Sequence, residues 1–250
     1  MNKSLAVRIV AGAPDLATTE ELLRQLQAAG VAAVQLVLPF SDPMAAGPLM
    51  QQAGAEALAG GTNIHRVFQL LDNLGQELTL QLTLVTYMNP LLTYGYVAFF
   101  QRCSQAGVHS LLVVDLPYEE REELLALSQQ SGVLLLTTLA VSQPRRMEEM
   151  LQQAQGLIYL TGGDRLPEVN RRRVEQLVAK ARSLTQLPLL LGYSGEQLEE
   201  ALDYGALGEA VLLENLVLER LAEQGRSCLP ALVQELGGLV RKLAHPQSGN

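Results

Sequence analysis

The side chains that could do chemistry in this chain stand at or near the ends of short apolar runs. Asp115 follows Leu111-Leu112-Val113-Val114, Tyr87 closes Leu82-Thr83-Leu84-Val85-Thr86, and Tyr159 sits inside Leu157-Ile158-Tyr159-Leu160. Asp42 lies in the stretch Pro39-Phe40-Ser41-Asp42-Pro43 after another apolar run. A carboxylate so placed could act as a general acid or base if its pKa lies near the working pH. Each also has a plainer role. A strand-end Asp such as Asp115 caps the next helix about as often as it reacts, Asp42 could hold a βα turn together through a backbone N–H, and lone tyrosines read as core. Arg165 could meet an anion, and an exposed loop Arg is the plainer reading. His65, His109 and His245 do not cluster, and Cys103 and Cys228 form no CxxC or Cys/His pattern. No metal site and no cofactor are expected.

The elements that must position these groups alternate regularly. With 250 residues, 48% hydrophobic content, 4% aromatics and no Trp, the chain can bury a core built from Leu, Val and Ala, as parallel strands covered on both faces require. Strands are expected at 7–11, 34–38, 82–87, 110–114, 133–137, 157–161, 189–192 and 209–213, with amphipathic helical stretches between them. Thr18 or Thr19 is the expected N-cap of the first helix and Gly30 its stop. Eight βα repeats with no linker between them predict an α/β (β/α)8 TIM barrel as one domain over 1–250. A doubly wound sheet is the alternative, since periodicity alone does not separate the two. A net charge of -8 and a pI near 5.0 argue against a nucleic-acid binder. The one basic run, Arg171-Arg172-Arg173, reads first as the exposed start of a helix. The N-terminus is too short and polar for a signal peptide, and no apolar run reaches the ~18 residues of a membrane span. A cytoplasmic protein that binds no membrane is the default.

Several motifs share one resemblance. Gln35-Leu36-Val37-Leu38-Pro39-Phe40-Ser41-Asp42-Pro43-Met44-Ala45-Ala46-Gly47-Pro48 is similar to the Glu-Leu-Gly-(Ile/Val)-Pro-Phe-Ser-Asp-Pro-x-Ala-Asp-Gly-Pro signature of the tryptophan synthase α subunit family. Val10-Ala11-Gly12-Ala13-Pro14-Asp15, Tyr87-Met88-Asn89-Pro90 with Tyr94-Gly95, Ala106-Gly107-Val108 with Val113-Val114-Asp115-Leu116-Pro117, and Gly156-Leu157-Ile158-Tyr159 resemble further family motifs in the same order. The resemblance implies a barrel that cleaves indole-3-glycerol phosphate to indole and glyceraldehyde 3-phosphate, with a β subunit as partner. It implies that Tyr87 and Tyr159 are pocket walls and that Pro39, Phe40, Asp42, Pro43, Asn89 and Pro90 face the partner. The Pro-Phe-Ser-Asp-Pro stretch could equally be only a well-built βα turn.

The departures fall where that chemistry would be. The family's two catalytic carboxylates correspond to Gln35 and Ala46, neither of which can shuttle a proton. That leaves Asp115 as the surviving acid to consider. The family's phosphate cradle needs glycines so that backbone N–H groups can approach the anion. Here its turn after strand seven is Gly192-Tyr193-Ser194, and its Gly-Ser pair falls at about Leu212-Leu213, followed by Glu214. Those residues are expected to crowd and repel a phosphate. The loop 161–167 is shorter than the family's lid, and the family's extra helix before strand one is expected to be missing. The expected function is therefore a barrel of α-subunit ancestry that is inactive or strongly impaired as a lyase. It would act as a binding or regulatory partner of a β-subunit-like enzyme, or bind a small molecule. The alternative is an active lyase, on the ancestral or a related substrate, using redeployed residues such as Asp115, Asp42 and Tyr159.

Overall fold

The computed structural model describes residues 3–140, 146–152, 154–161, 171–195 and 197–245. Nine parallel strands form one sheet: β1 (Ser4–Val10), β2 (Ala33–Val37), β3 (Gln81–Thr86), β4 (Ser110–Val113), β5 (Leu134–Leu135), β6 (Thr137–Ala140), β7 (Ile158–Thr161), β8 (Leu189–Tyr193) and β9 (Ala210–Leu213). Their order is β5-β4-β3-β2-β1-β9-β8-β7-β6. The two ends of that order are pieces of one segment interrupted at Leu136, whose N–H still bonds Leu111 O on the β4 side at 2.9 Å. The fifth expected strand is thus split in two, and the sheet closes into the (β/α)8 TIM barrel. The doubly wound alternative is discarded because an open sheet would leave its two end strands far apart.

Side chains alternate along each strand. Leu5, Val7 and Ile9 of β1 belong to the outer core beneath the helices, whereas Ala6 and Val10 belong to a second cluster inside the barrel with Val37, Val85, Leu112, Leu136, Tyr159, Leu190 and Leu212. By the same alternation Arg8 shares the inward face of β1. Arg8 pairs in register with Gln35, Gln35 with Thr83, and Thr83 with Ser110. A polar layer therefore crosses an otherwise apolar interior.

The helices start and stop for local reasons. The first, Leu16–Ala28, is capped by Asp15, whose carboxylate accepts from Thr18 N at 2.6 Å, so Asp15 replaces the expected Thr18 or Thr19 as N-cap. Asn63 caps Ile64–Leu74 in the same way, through Arg66 N at 3.1 Å. The helix expected from about Tyr94 to Gln105 runs over Tyr96–Gln105, and a further short helix, Met88–Tyr94, precedes it, the two separated at Gly95 with φ +89°. Before Glu122–Ser131 the chain makes a 3₁₀ turn, Tyr118–Glu120, so that helix begins later than its acidic run implies. Arg171 opens the helix Arg171–Leu184 in the solvent, paired with Glu175 at 2.9 Å and Asp203 at 3.0 Å, as an exposed helix start should be. The expected loop 161–167 and Arg165 within it lie, after Thr161, outside the described residues. Among the described residues no helix is long and apolar enough to cross a membrane.

Candidate functional site at the carboxyl ends of the strands

A cavity of about 480 Å³ opens where the strands end. Barrel proteins place their working groups there, because the βα loops that follow the strands converge on that face. Val10, Val37, Phe40, Tyr87, Leu112 and Leu136 form its apolar wall, and Ala46, Gly47 and Pro48 its rim. Its charged lining among the described residues is Arg8, Arg121 and Glu214.

One corner is a dense polar network. Arg8 donates to Gln35 Oε1 from both Nε (2.9 Å) and Nη2 (2.7 Å), and to the Tyr159 hydroxyl from Nη2 (2.7 Å). Arg8 has only donors, so the amide oxygen must face it and the amide nitrogen points away. That nitrogen, Gln35 Nε2, is buried with no hydrogen-bond partner. Arg8 Nη1 lies 3.3 Å from Glu214 Oε1, the Tyr159 hydroxyl donates to the same oxygen, and Ser194 Oγ donates to Oε2 at 2.6 Å. Burial pushes the Tyr159 phenol well above its ordinary range, and Glu214 adds to this against the pull of Arg8. Tyr159 is therefore a fixed hydrogen-bond donor at neutral pH rather than an acid–base group.

Gly192 is where this network meets the backbone. A Cβ there would lie 2.8 Å from Glu214 Oε1 and 3.2 Å from the Tyr159 ring. The glycine thus admits the Glu214 carboxylate close to the β8 backbone.

The structure sorts the sequence candidates. Ala46, Tyr87 and Tyr159 line the cavity, together with Pro39, Phe40 and Pro43, and Phe40 packs on Tyr87 with ring centroids 5.3 Å apart. Gln35 joins them through Arg8, while Gly192 and Ser194 join through Glu214. Asp115 does not belong. It is exposed, and its Oδ1 accepts the N–H of Met88 at 2.8 Å, so it serves the N-terminus of the helix Met88–Tyr94 and not the cavity. Leu212 and Leu213 are also corrected. Both are fully buried β9 residues, Leu212 in the barrel interior and Leu213 under the helices, and the cavity wall after β9 is Glu214 and Asn215. The strand reaches Leu213, so the residues at the helix start are two positions later than the motif spacing placed them. Asp42 is exposed on the β2 loop, and Asn89 and Pro90 stand at the start of Met88–Tyr94, outside the cavity lining.

Arg8 and Arg121 were not singled out from the sequence. Arg8 had a signal: one charge in the apolar strand Leu5–Val10, at an inward position by the alternation of β1. Arg121 had none, since it reads as one more charge in Glu119-Glu120-Arg121-Glu122-Glu123. Cys103, by contrast, is simply buried, its thiol pushed up to about 12 by loss of solvent. Among the described residues no group of His, Cys, Asp and Glu is placed to hold a metal ion.

A parallel barrel with a mouth cavity and a polar network rooted on β1, β2, β7 and β9 defines a (β/α)8 barrel protein with a lined cavity at its strand ends. Comparison with known proteins then gives the family. The model of the tryptophan synthase alpha chain family matches residues 2–239, and the chain belongs to that family. It is 36% identical over 239 residues to the tryptophan synthase alpha chain of Acaryochloris marina, covering 91% of this chain and 89% of that one. It is 38% identical over 243 residues to that of Synechococcus sp. CC9902, covering 94% and 90%. Among solved structures, tryptophan synthase subunit alpha from Legionella pneumophila superposes with a TM-score of 0.84 at 25% identity, over 97% of this chain and 92% of that one. A chain of the tryptophan synthase complex from Pyrococcus furiosus shares the fold, with a TM-score of 0.86 at 23% identity over 96% and 98%.

Proposed function

We propose that this chain is a tryptophan synthase α-like barrel without effective indole-3-glycerol phosphate lyase activity, and that it acts as a binding or regulatory partner of a β-subunit-like enzyme. The observation that carries the reading is Gln35. The position where the family's motif has its catalytic Glu holds an amide whose oxygen is taken by two bonds from Arg8. An amide cannot exchange a proton near neutral pH, and losing a general base costs about 10²–10⁴-fold. Ala46 removes the second carboxylate, and among the described residues the cavity's one carboxylate, Glu214, is engaged by Arg8, Tyr159 and Ser194. Glu214 also stands where the substrate phosphate would need backbone donors.

The partner half of the reading is supported by what the mouth leaves exposed. Met44, Leu92 and Val97 are large hydrophobic side chains more than half exposed, the first beside the Pro39–Pro43 stretch and the others just after Asn89-Pro90. Exposed apolar side chains next to both of these stretches favour a docking partner. Mixing the purified chain with a tryptophan synthase β subunit tests this. A complex on size-exclusion chromatography, together with a changed β-reaction rate, is expected, and Met44→Asp should weaken both. Two species that elute separately, with the β rate unchanged, would remove the partner role.

A further inference from the structure

Arg121 is the unusual charge of this cavity. It lies half-way round the barrel from Arg8, between the 3₁₀ turn Tyr118–Glu120 and the helix Glu122–Ser131, and is only 5% exposed. Its Nη1 donates to Thr137 Oγ1 at 2.9 Å and its Nη2 to Leu135 O at 3.2 Å, at the break between β5 and β6. Its Nε is buried without a partner. Its guanidinium lies 5.7 Å from the Tyr118 ring centroid. No carboxylate among the described residues pairs with it, in contrast to Arg8. Burial lowers its pKa, only partly countered by Tyr118, yet a guanidinium stays charged in a protein.

A charge in this state is costly unless something neutralises it. The cavity's balance makes the requirement specific. Of its three charged lining residues among those described, Arg8 and Glu214 form a pair at 3.3 Å and cancel, which leaves Arg121 as the one positive charge without a carboxylate partner among them. One monoanion restores neutrality, whereas a dianionic phosphate would leave a net negative charge beside Glu214. The guanidinium fork also matches the two oxygens of a carboxylate. Thr138 lines the same cavity, and its buried Oγ1 has no hydrogen-bond partner.

We infer that the cavity takes a monoanionic carboxylate with an apolar, aryl-sized body, its carboxylate held by Arg121 and its body against Val37, Phe40, Tyr87 and Leu112. The inference rests on the reading of the cavity as a ligand site that no longer handles a sugar phosphate. It assigns recognition to the β4–β6 side of the barrel, opposite the Glu214 corner.

Isothermal titration of the purified chain at pH 7.5 with 3-phenylpropionate, 3-phenylpropan-1-ol and 2-phenylethyl phosphate tests it. The acid should bind at least about tenfold more tightly than the alcohol, the difference a charge-assisted bidentate contact makes, and the phosphate ester no more tightly than the acid. Arg121→Met should erase the preference for the acid, and Arg121→Lys should keep part of it. If Arg121→Met does not fold, the wild-type comparison decides alone. Equal binding of acid and alcohol, or binding of neither up to millimolar concentration, would overturn the inference. Tighter binding of the phosphate ester than of the acid would overturn it in favour of a phosphate ligand. Indole release is read in a separate assay, so failure of the non-lyase reading and failure of carboxylate recognition are distinguishable.

Discussion

At the scale of single residues the proposed reading turns on two side chains: the amide Gln35, where the family motif has a carboxylate, and the carboxylate Glu214, against the backbone of Gly192. The two are coupled through Arg8, which bonds both. Gln35→Glu with Ala46→Asp should therefore release no measurable indole by itself, because Glu214 still opposes the phosphate. Adding Glu214→Gly should bring detectable release, since it clears the carboxylate from the Gly192 backbone where the phosphate would sit. Release by the double variant alone would show that Glu214 is not an obstacle. Glu214→Ala in the native background is expected to destabilise the fold by about 3 kcal/mol in urea titration, because it strips a carboxylate partner from a buried guanidinium. The sequence made Gln35, Ala46, Tyr87 and Tyr159 legible, because motif spacing carries those positions directly. It did not place Leu212 and Leu213, since one apolar run does not show where a strand stops and its loop begins. It also hid Arg121, whose importance comes from burial, and burial of one charge within a charged run leaves no periodic trace.

At the scale of elements, most strands and helices were visible as alternation of apolar runs with amphipathic stretches. The misplaced boundaries have local causes: the Asp15 cap, the +89° φ of Gly95, and the break at Leu136. Asp115 belongs to this scale, as the group that accepts Met88 N–H at a helix start. Asp115→Ala should cost about 1 kcal/mol of stability and leave ligand binding at the cavity unchanged. A loss of binding at unchanged stability would return Asp115 to the site. The β8–β9 junction adds a pH dependence. Glu209 Oε2 accepts Leu189 N–H at 2.8 Å and pairs with Arg182. Burial alone would raise its pKa, but the Arg182 and Leu189 bonds, with the charges of Arg182 and Lys3, outweigh it and the net shift is downward. The folded state thus binds the Glu209 proton more weakly than the unfolded chain does. Its contribution is complete above the ordinary value of 4.5 and is lost as the pH falls through the lower folded value. Glu209→Gln should flatten the acid side of a Tm-against-pH profile below about pH 5, and an unchanged profile would contradict this role.

At the scale of the whole molecule, the barrel and family are those of the tryptophan synthase alpha chain, and the cavity's positive charges are Arg8 and Arg121 among the described residues. The scaffold was the easiest part to read from the sequence, because repeated βα units and ordered motifs record it many times over. The proposed loss of lyase activity rests on a few side chains, each recorded once. The account stands on the claim that the lyase reaction has been lost. Its most direct test is indole release from indole-3-glycerol phosphate by the purified chain, with and without a tryptophan synthase β subunit. No turnover in either case is predicted. Turnover within about a hundredfold of an ordinary α subunit, less than the loss expected from two missing catalytic carboxylates, would contradict it.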